Sequence, residues 1–333
     1  MRPTSDTAIQ RPDIGAVVWE AMTDSLLMGF IGLLAMPVFR VPEYTAEYPV
    51  MPAEALFNLL DTKRSSKGTY NRSEDEFESG FYKTIENGLE RRVDDRFSKI
   101  YESKFAYELT IARILMNDIL RAQEYRVKSR LFNTSNFSAT NAATNWATSS
   151  SAEPKADTDT GKVSLRAKGI LADTLILNYT ALLDAIACDS VIESVYQIFP
   201  DAKKTGQISI DHLKTHFDFE KIYVGGALYN TAKRNQDASL ADMWGSQYAM
   251  VCKTANPGDD ITEPCVGRTF LWNEGASDET IVEEYYANDV RGKILRVRHD
   301  TQEAFLASYD EDNAVKSEIS KACGYLIDHT AAS

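Results

Sequence analysis

Close pairs of cysteine are missing from this chain. Its four cysteines, Cys188, Cys252, Cys265 and Cys323, include no C-x-x-C spacing, so neither a disulfide scaffold nor a zinc ribbon is written in it, and a reducing, intracellular setting is expected. Basic charge is in deficit: 36 Lys and Arg stand against 49 Asp and Glu, a net charge of −13. That excludes a protein that grips nucleic acid by neutralising phosphates. No apolar run reaches the roughly 20 residues that cross a bilayer. The nearest, residues 26–35 running into Met36-Pro-Val-Phe39, starts after Asp24 and Ser25 without the basic start of a signal peptide, and reads as a buried helix ended by Pro37. The glycine signatures of phosphate loops, dinucleotide folds and nucleophile elbows are absent as well.

What is present suffices for a sizeable core: 333 residues, 44% hydrophobic and 10% aromatic, enough for one large domain or two moderate ones. Residues 1–14 are polar and read as an arm, followed by a Val17-Val18-Trp19 cluster too apolar to stay in water. Residues 39–50 alternate as a strand interrupted by Pro42 and Pro49. Residues 61–80 carry two large apolar side chains, Tyr70 and Phe77, between a basic half (Lys63, Arg64, Lys67, Arg72) and an acidic half (Glu74, Asp75, Glu76, Glu78). Such a segment reads either as a solvated hairpin or as a loop that pairs with a neighbouring copy.

Phe97, Tyr101, Phe105, Leu109, Ala112, Met116 and Ile119 recur at spacings of three and four without proline or glycine, which predicts one amphipathic helix over residues 94–130. Residues 133–162, rich in Asn, Ser, Thr and Ala around Trp146, read as a long loop. Beyond it the pattern predicts a short helix over 163–168, a buried strand over 174–178, and helices over 182–198 and 208–217. Strands follow over 221–224, 248–253, 269–272, 280–286, 293–299 and 325–327. The fold class is α+β without regular βαβ winding.

No catalytic constellation emerges. His212 and His216 stand four apart, yet Leu213 occupies the place of a zincin's glutamate and no third ligand is suggested, so they read as surface or capping histidines. Residues 201–212 have the spacing of a calcium loop, but Lys203 and His212 sit where oxygens are required. Lys204-Thr205-Gly206 lacks the Ser-x-x-Lys that a β-lactamase needs. Gly225-Gly226 reads as a turn after a strand, and the pairs Asp259-Asp260 and Glu283-Glu284 as solvated faces. The chain is read as no enzyme, with no cofactor and no metal.

One ordered run is distinctive: Gln207-Ile-Ser-Ile-Asp-His-Leu213, then Lys221-Ile-Tyr-Val-Gly-Gly-Ala-Leu-Tyr-Asn-Thr-Ala-Lys233, Leu240-Ala-Asp-Met-Trp-Gly245, Gly267-Arg-Thr-Phe-Leu-Trp272, Lys293-Ile-Leu-Arg-Val-Arg298 and Gly324-Tyr-Leu-Ile-Asp-His329. It resembles the major capsid proteins of tailed bacteriophages, over roughly residues 8–331, through order and spacing rather than one signature. The resemblance implies the Hong Kong 97 type of fold. Residues 1–48 would be its N-terminal arm, 49–92 its extended loop, 93–170 and 280–320 its peripheral domain with a spine helix, and 171–279 with 321–333 its axial domain. It implies a virion protein, assembled in the host cytoplasm as pentamers and hexamers of an icosahedral shell that encloses double-stranded DNA without reading its sequence. A portal, and scaffolding or decoration proteins, would be its partners, and no membrane is involved.

Intersubunit contacts are then expected at Trp19, Lys63, Arg64, Lys67, Glu74, Asp75 and Glu76. The Lys–Asn crosslink of some relatives finds no marked acceptor here. Residues 1–14 are too short for a built-in scaffolding domain. Two alternatives share the α+β reading: an encapsulin-type compartment shell, told apart by neighbouring genes, and a soluble hydrolase or ligand-binding enzyme, told apart by its small size in solution.

Overall fold

The computed structural model describes residues 9–11, 29–51, 57, 59, 61–64, 66, 68–71, 77–101, 106–233, 235–272, 274, 280–287, 291–309 and 315–332. Its largest sheet is organised by β14 (Gly292–Ala304), which runs antiparallel to β13 (Ile281–Ala287), β12 (Arg268–Trp272) and β5 (Ile85–Asp94). β2 (Val38–Arg40) lies parallel to β12, and β1 (Ile9–Gln10) adds to the outer edge of β13. Side chains alternate across a strand, so β14 divides its residues between two faces. Leu295 and Val297, fully buried, pack with Val93 and Val282 against the helix α3 (Tyr107–Leu131), which contributes Ile111, Ala112, Leu115, Met116, Ile119 and Leu120. Arg296 and Arg298 occupy the opposite face.

The single helix expected over residues 94–130 is two: α2 (Asp95–Tyr101) and α3, with Ala106 between them at φ −71° and ψ 86°. α3 extends for about 37 Å at 1.5 Å per residue, not the roughly 50 Å of an unbroken helix. The apolar stripe is corrected too. Phe97 is 47% exposed, Leu109 is partly buried, and the fully sealed positions of α3 are Ala112, Leu115, Met116, Val127 and Leu131. Phe105 lies outside the described residues.

The second sheet has the order β6-β17-β11-β7-β8, from β6 (Ala139–Ala142), β17 (Gly324–Ala332), β11 (Tyr248–Cys252), β7 (Thr174–Asn178) and β8 (Lys221–Gly225). Every residue of β7 is buried, as its run of Thr, Leu and Ile predicts for a strand covered on both sides. β7 leads into α5 (Tyr179–Ala187), where Asn178 Oδ1 accepts from the N–H of Ala181 as the N-cap. α6 (Asp189–Ile198), α7 (Pro200–Thr205) and α8 (Ile210–Phe217) follow.

The long loop expected over residues 133–162 is corrected: it contains β6 and most of α4 (Pro154–Ala167), which lies on β17 and β11. Its buried positions include Thr158 and Gly161, and a Cβ on Gly161 would stand 2.9 Å from the Tyr325 ring, so the helix seats close to the sheet through small residues. A third sheet, β16-β15-β4-β3, joins β3 (Thr45–Val50) and β4 (Glu78–Lys83) to β15 (Ser308–Tyr309) and β16 (Val315–Ser317). The strand expected over 39–50 therefore divides between two sheets. A short ribbon of β9 (Leu228–Asn230) and β10 (Leu240–Asp242), and the four-residue helices α1 (Gly32–Ala35) and α9 (Ile319–Ala322), complete the elements of the described residues.

Residues 29–36 bind the two larger sheets together. Gly29, at φ +80°, offers its carbonyl to the N–H of Gly226 at 3.1 Å, and a Cβ on it would stand 2.7 Å from the Gly226 backbone. Gly225-Gly226, expected as a simple turn, is thus a close chain crossing. Pro37 ends α1 as expected, while residues 26–28 of the predicted helix lie outside the described residues.

Candidate assembly surfaces

The residues expected to act are those that a neighbouring copy would meet, chiefly on the segment between β3 and β4. The β3–β4 ladder pairs Thr45 with Lys83 through to Val50 with Glu78, and the connection between these strands carries the charged segment. Two of the seven expected contact residues are described there. The backbone N–H of Lys63 donates to Asp61 Oδ1 at 2.9 Å, and Arg64 Nε donates to the carbonyl of Gly68 at 2.8 Å. The Arg64 guanidinium stands 4.7 Å from the Tyr70 ring centre, and Asn71 Nδ2 donates to the Asp61 carbonyl, which brings the two ends of this segment together. Both charged side chains are exposed. Trp19, Lys67, Glu74, Asp75 and Glu76 lie outside the described residues.

The root of this hairpin is tied down by polar and aromatic contacts. Glu78 accepts from Ser308 Oγ and pairs with Lys316 Nζ at 2.6 Å, and the Lys316 hydrogen bond holds its carboxyl below the usual range. Tyr82 stacks on Phe270 at 4.8 Å, with Tyr48 5.6 Å away. The Tyr48 hydroxyl reaches the Ala307 backbone, and burial pushes its pKa up to about 12.

The arginine face of the first sheet is a ladder of ion pairs. Arg298 meets Glu283 at 3.1 Å and Glu274 at 2.9 Å, while Arg296 meets Glu283 at 3.2 Å and Glu90 at 2.6 Å. Glu284 pairs with Arg11 at 2.5 Å and approaches Lys293, which in turn binds Glu108 of α3 at 3.0 Å. The pair Glu283-Glu284, expected to be solvated, is therefore corrected: both are engaged, Glu283 at 9% exposure. An arginine with two carboxylates in reach stays charged, and pairs desolvated to this degree add little net stability.

Sequence reasoning missed Glu124 of α3. It is 3% exposed and accepts from the N–H of Ile31 at 2.8 Å, from the N–H of Gly32 at 2.6 Å and from the Trp244 indole at 2.5 Å. Burial raises its pKa and the three donors oppose the rise. Of the two spaced histidines, His212 caps α8: its N–H donates to Ser209 Oγ, and its Nδ1 accepts from the Ser209 N–H. His216 is buried, not a surface residue, and burial lowers its pKa. Among the described residues no group of three His, Cys, Asp or Glu side chains is placed to hold a metal, and no helix is long and apolar enough to cross a membrane.

A sheet-backed long helix, a second sheet with helices, and the β3–β4 pair together define the class: this is the fold of tailed-phage capsid proteins, α+β as expected. No protein-family model matches the chain. It is 26% identical over 279 residues to the major capsid protein of Burkholderia phage BcepMu, covering 81% of this chain and 84% of that protein. Its fold matches the crystal structure of a phage-related protein from Bordetella bronchiseptica, with a TM-score of 0.67 at 20% identity, over 97% of this chain and 98% of the other. It also matches a virus-like particle from Pyrococcus furiosus, with a TM-score of 0.50 at 10% identity, over 95% and 98%. The resemblance read from the sequence is thus shown: a curated homologue is a phage major capsid protein, and the structural neighbours have the same fold.

Proposed function

We propose that this chain is a major capsid protein of a tailed double-stranded DNA phage, building an icosahedral shell from pentamers and hexamers. The observation that carries this reading is the major capsid homologue, matched over 81% of the chain and 84% of its own length. Within it, residues 1–48 serve as the N-terminal arm and 49–92 as the extended loop that reaches a neighbouring subunit through Lys63, Arg64, Lys67, Glu74, Asp75 and Glu76. Trp19 is a further contact. Residues 93–170 and 280–320 form the peripheral domain, and residues 171–279 with the last strand form the axial domain. The net charge of −13 suits a wall that encloses DNA without gripping it. A portal and separate scaffolding or decoration proteins complete the particle, which forms in the host cytoplasm.

Analytical ultracentrifugation with negative-stain microscopy tests this. Closed particles or ring-shaped capsomers are expected, and a 37 kDa monomer at every concentration and salt would overturn it. The fold is also that of a virus-like particle, so a shell that encloses something other than a phage genome, such as protein cargo, is the second reading. Extracted contents decide between the two: packaged DNA for the first, a co-purifying enzyme for the second.

A further inference from the structure

Among the described residues one long strand is half-paired. β5 is ten residues long and hydrogen-bonds to β14 along Ile85–Asp94, but among the described residues nothing pairs with its other edge. A bare edge of that length presents a row of backbone donors and acceptors that natural sheets otherwise cover, shorten or interrupt with proline. β5 holds no proline. Its side chains are also uncovered: Ile85 is 63% and Leu89 44% exposed, on the face that α3 shields elsewhere. Among the described residues Glu86 and Arg92, on the other face, have ion-pair contacts only at long range, 3.9 Å to Arg298 and 3.8 Å to Asp94.

The charge order of this strand is self-complementary about one point. In Ile85-Glu-Asn-Gly-Leu-Glu-Arg-Arg-Val-Asp94, Glu86 and Arg92 stand equally far from Leu89. We propose that β5 pairs antiparallel with β5 of a second copy, about a two-fold axis at Leu89. That register sets Glu86 opposite the partner's Arg92, Asn87 opposite the partner's Arg91, Ile85 opposite the partner's Val93, and Leu89 opposite the partner's Leu89. A two-fold antiparallel pairing keeps α3 of both copies on the same side, so only whole-residue moves of the axis are allowed.

Each such move is worse. With the axis at Gly88, Glu86 faces the partner's Glu90. At Glu90, that residue faces its own copy and Glu86 faces the partner's Asp94; at Arg91, arginine faces arginine. Like charges directly opposite destabilise a ladder, and opposite charges support it. Among the axes that pair five or more residues of β5, only the one at Leu89 both sets an acid opposite a base and avoids every like-charge pair; an axis at Val93 also sets Arg92 opposite the partner's Asp94 but pairs only three residues of the strand. The contact is isologous, the kind that can join one ring of subunits to the next where head-to-tail contacts close the rings themselves. The inference rests on the reading of the chain as a shell subunit.

The test is a Leu89→Cys variant of the full chain, oxidised after assembly and run on a non-reducing gel. Directly opposed antiparallel residues stand about 4.5 to 5.5 Å apart at Cα, within reach of a disulfide. The four native cysteines are buried, so background crosslinking is low. A disulfide-linked dimer is expected from Leu89→Cys and none from Val163→Cys, a residue 68% exposed on α4. Independently, Arg92→Glu and Glu86→Arg should each lower particle yield several-fold at low salt, and the double variant should recover it.

Wild-type particle yield in all three charge variants, with Leu89→Cys remaining monomeric on the gel, overturns the pairing and leaves the shell reading standing. If the wild-type chain forms no particles, the shell reading falls instead. The Leu89→Cys dimer is then sought in free protein, where its absence overturns the pairing too.

Discussion

Trp244 donates its indole N–H to Oε1 of Glu124 across 2.5 Å, with both side chains buried and 120 positions apart in the chain. The same carboxylate receives the backbone N–H groups of Ile31 and Gly32. One acid therefore joins α3, the start of α1 and the segment after β10.

Truncation of Glu124 to Ala would strand three buried donors at once. Each unsatisfied buried group costs about 1 to 3 kcal/mol, so a loss of about 3 kcal/mol or more is expected in urea denaturation. Glu124→Gln retains one acceptor and should lose less. Equal stability of Glu124→Ala and wild type would show that this junction does not hold the subunit together.

His299 sets a pH dependence. It is 5% exposed, its Nε2 has no hydrogen-bond partner among the described residues, and burial lowers its pKa to about 4, with the Arg126 charge assisting. The unfolded chain, with an ordinary histidine pKa of about 6.5, then binds the proton first, so stability is full above about pH 6.5 and is lost as pH falls toward 4. Between pH 7 and 5 this single group should remove about 2 kcal/mol. Thermal melts of wild type and His299→Gln across that interval check it: the variant should show a flatter profile, and parallel profiles would exclude His299 as the source.

Leu115 and Phe97 distinguish the two helices. Leu115 is 1% exposed against the first sheet, and Phe97 is 47% exposed on α2. Leu115→Ala should cost about 2 to 5 kcal/mol and Phe97→Ala well under 1 kcal/mol. The reverse order in chemical denaturation would restore the single-helix stripe that the sequence suggests.

Lys63, Arg64 and Lys67 are expected to act between subunits and not within one. Changing all three to Glu should leave the melting temperature of the free subunit within a degree or two and lower particle yield sharply, because a contact of 0 to about 1 kcal/mol recurs throughout a shell. Particles at the wild-type yield would remove this segment from the interface.

Local periodicity made part of this architecture readable in the sequence. β7 is a short apolar run between polar residues, and α8 follows a Ser209 cap, so both declare themselves within ten residues. β5 does not. Its apolar residues Ile85, Leu89 and Val93 fall four apart, a helical spacing, because Asn87 and Arg91 take the alternate positions on the α3 side of the strand. The break at Ala106 is equally silent, since alanine is the strongest helix former and neither proline nor glycine marks the place. α4 was hidden by composition, its close seat depending on Gly161 and Thr158 rather than on large apolar residues. Glu124 reads as a surface charge on a helix until the donors 93 and 120 residues away are placed beside it. Of the candidate contact residues, Lys63 and Arg64 were legible as exposed from charge alone.

Pro49 sits inside β3, the outermost strand of the hairpin sheet, opposite Ser79. With no N–H to give, it interrupts the free edge at that point, and a stray strand from another molecule cannot zip along it. Building a shell demands subunits at concentrations where exposed edges ordinarily seed fibrils. A proline at the hairpin root disfavours such pairing while the chain finds its proper neighbours, and its replacement by Val or Thr is expected to raise aggregation of the free subunit.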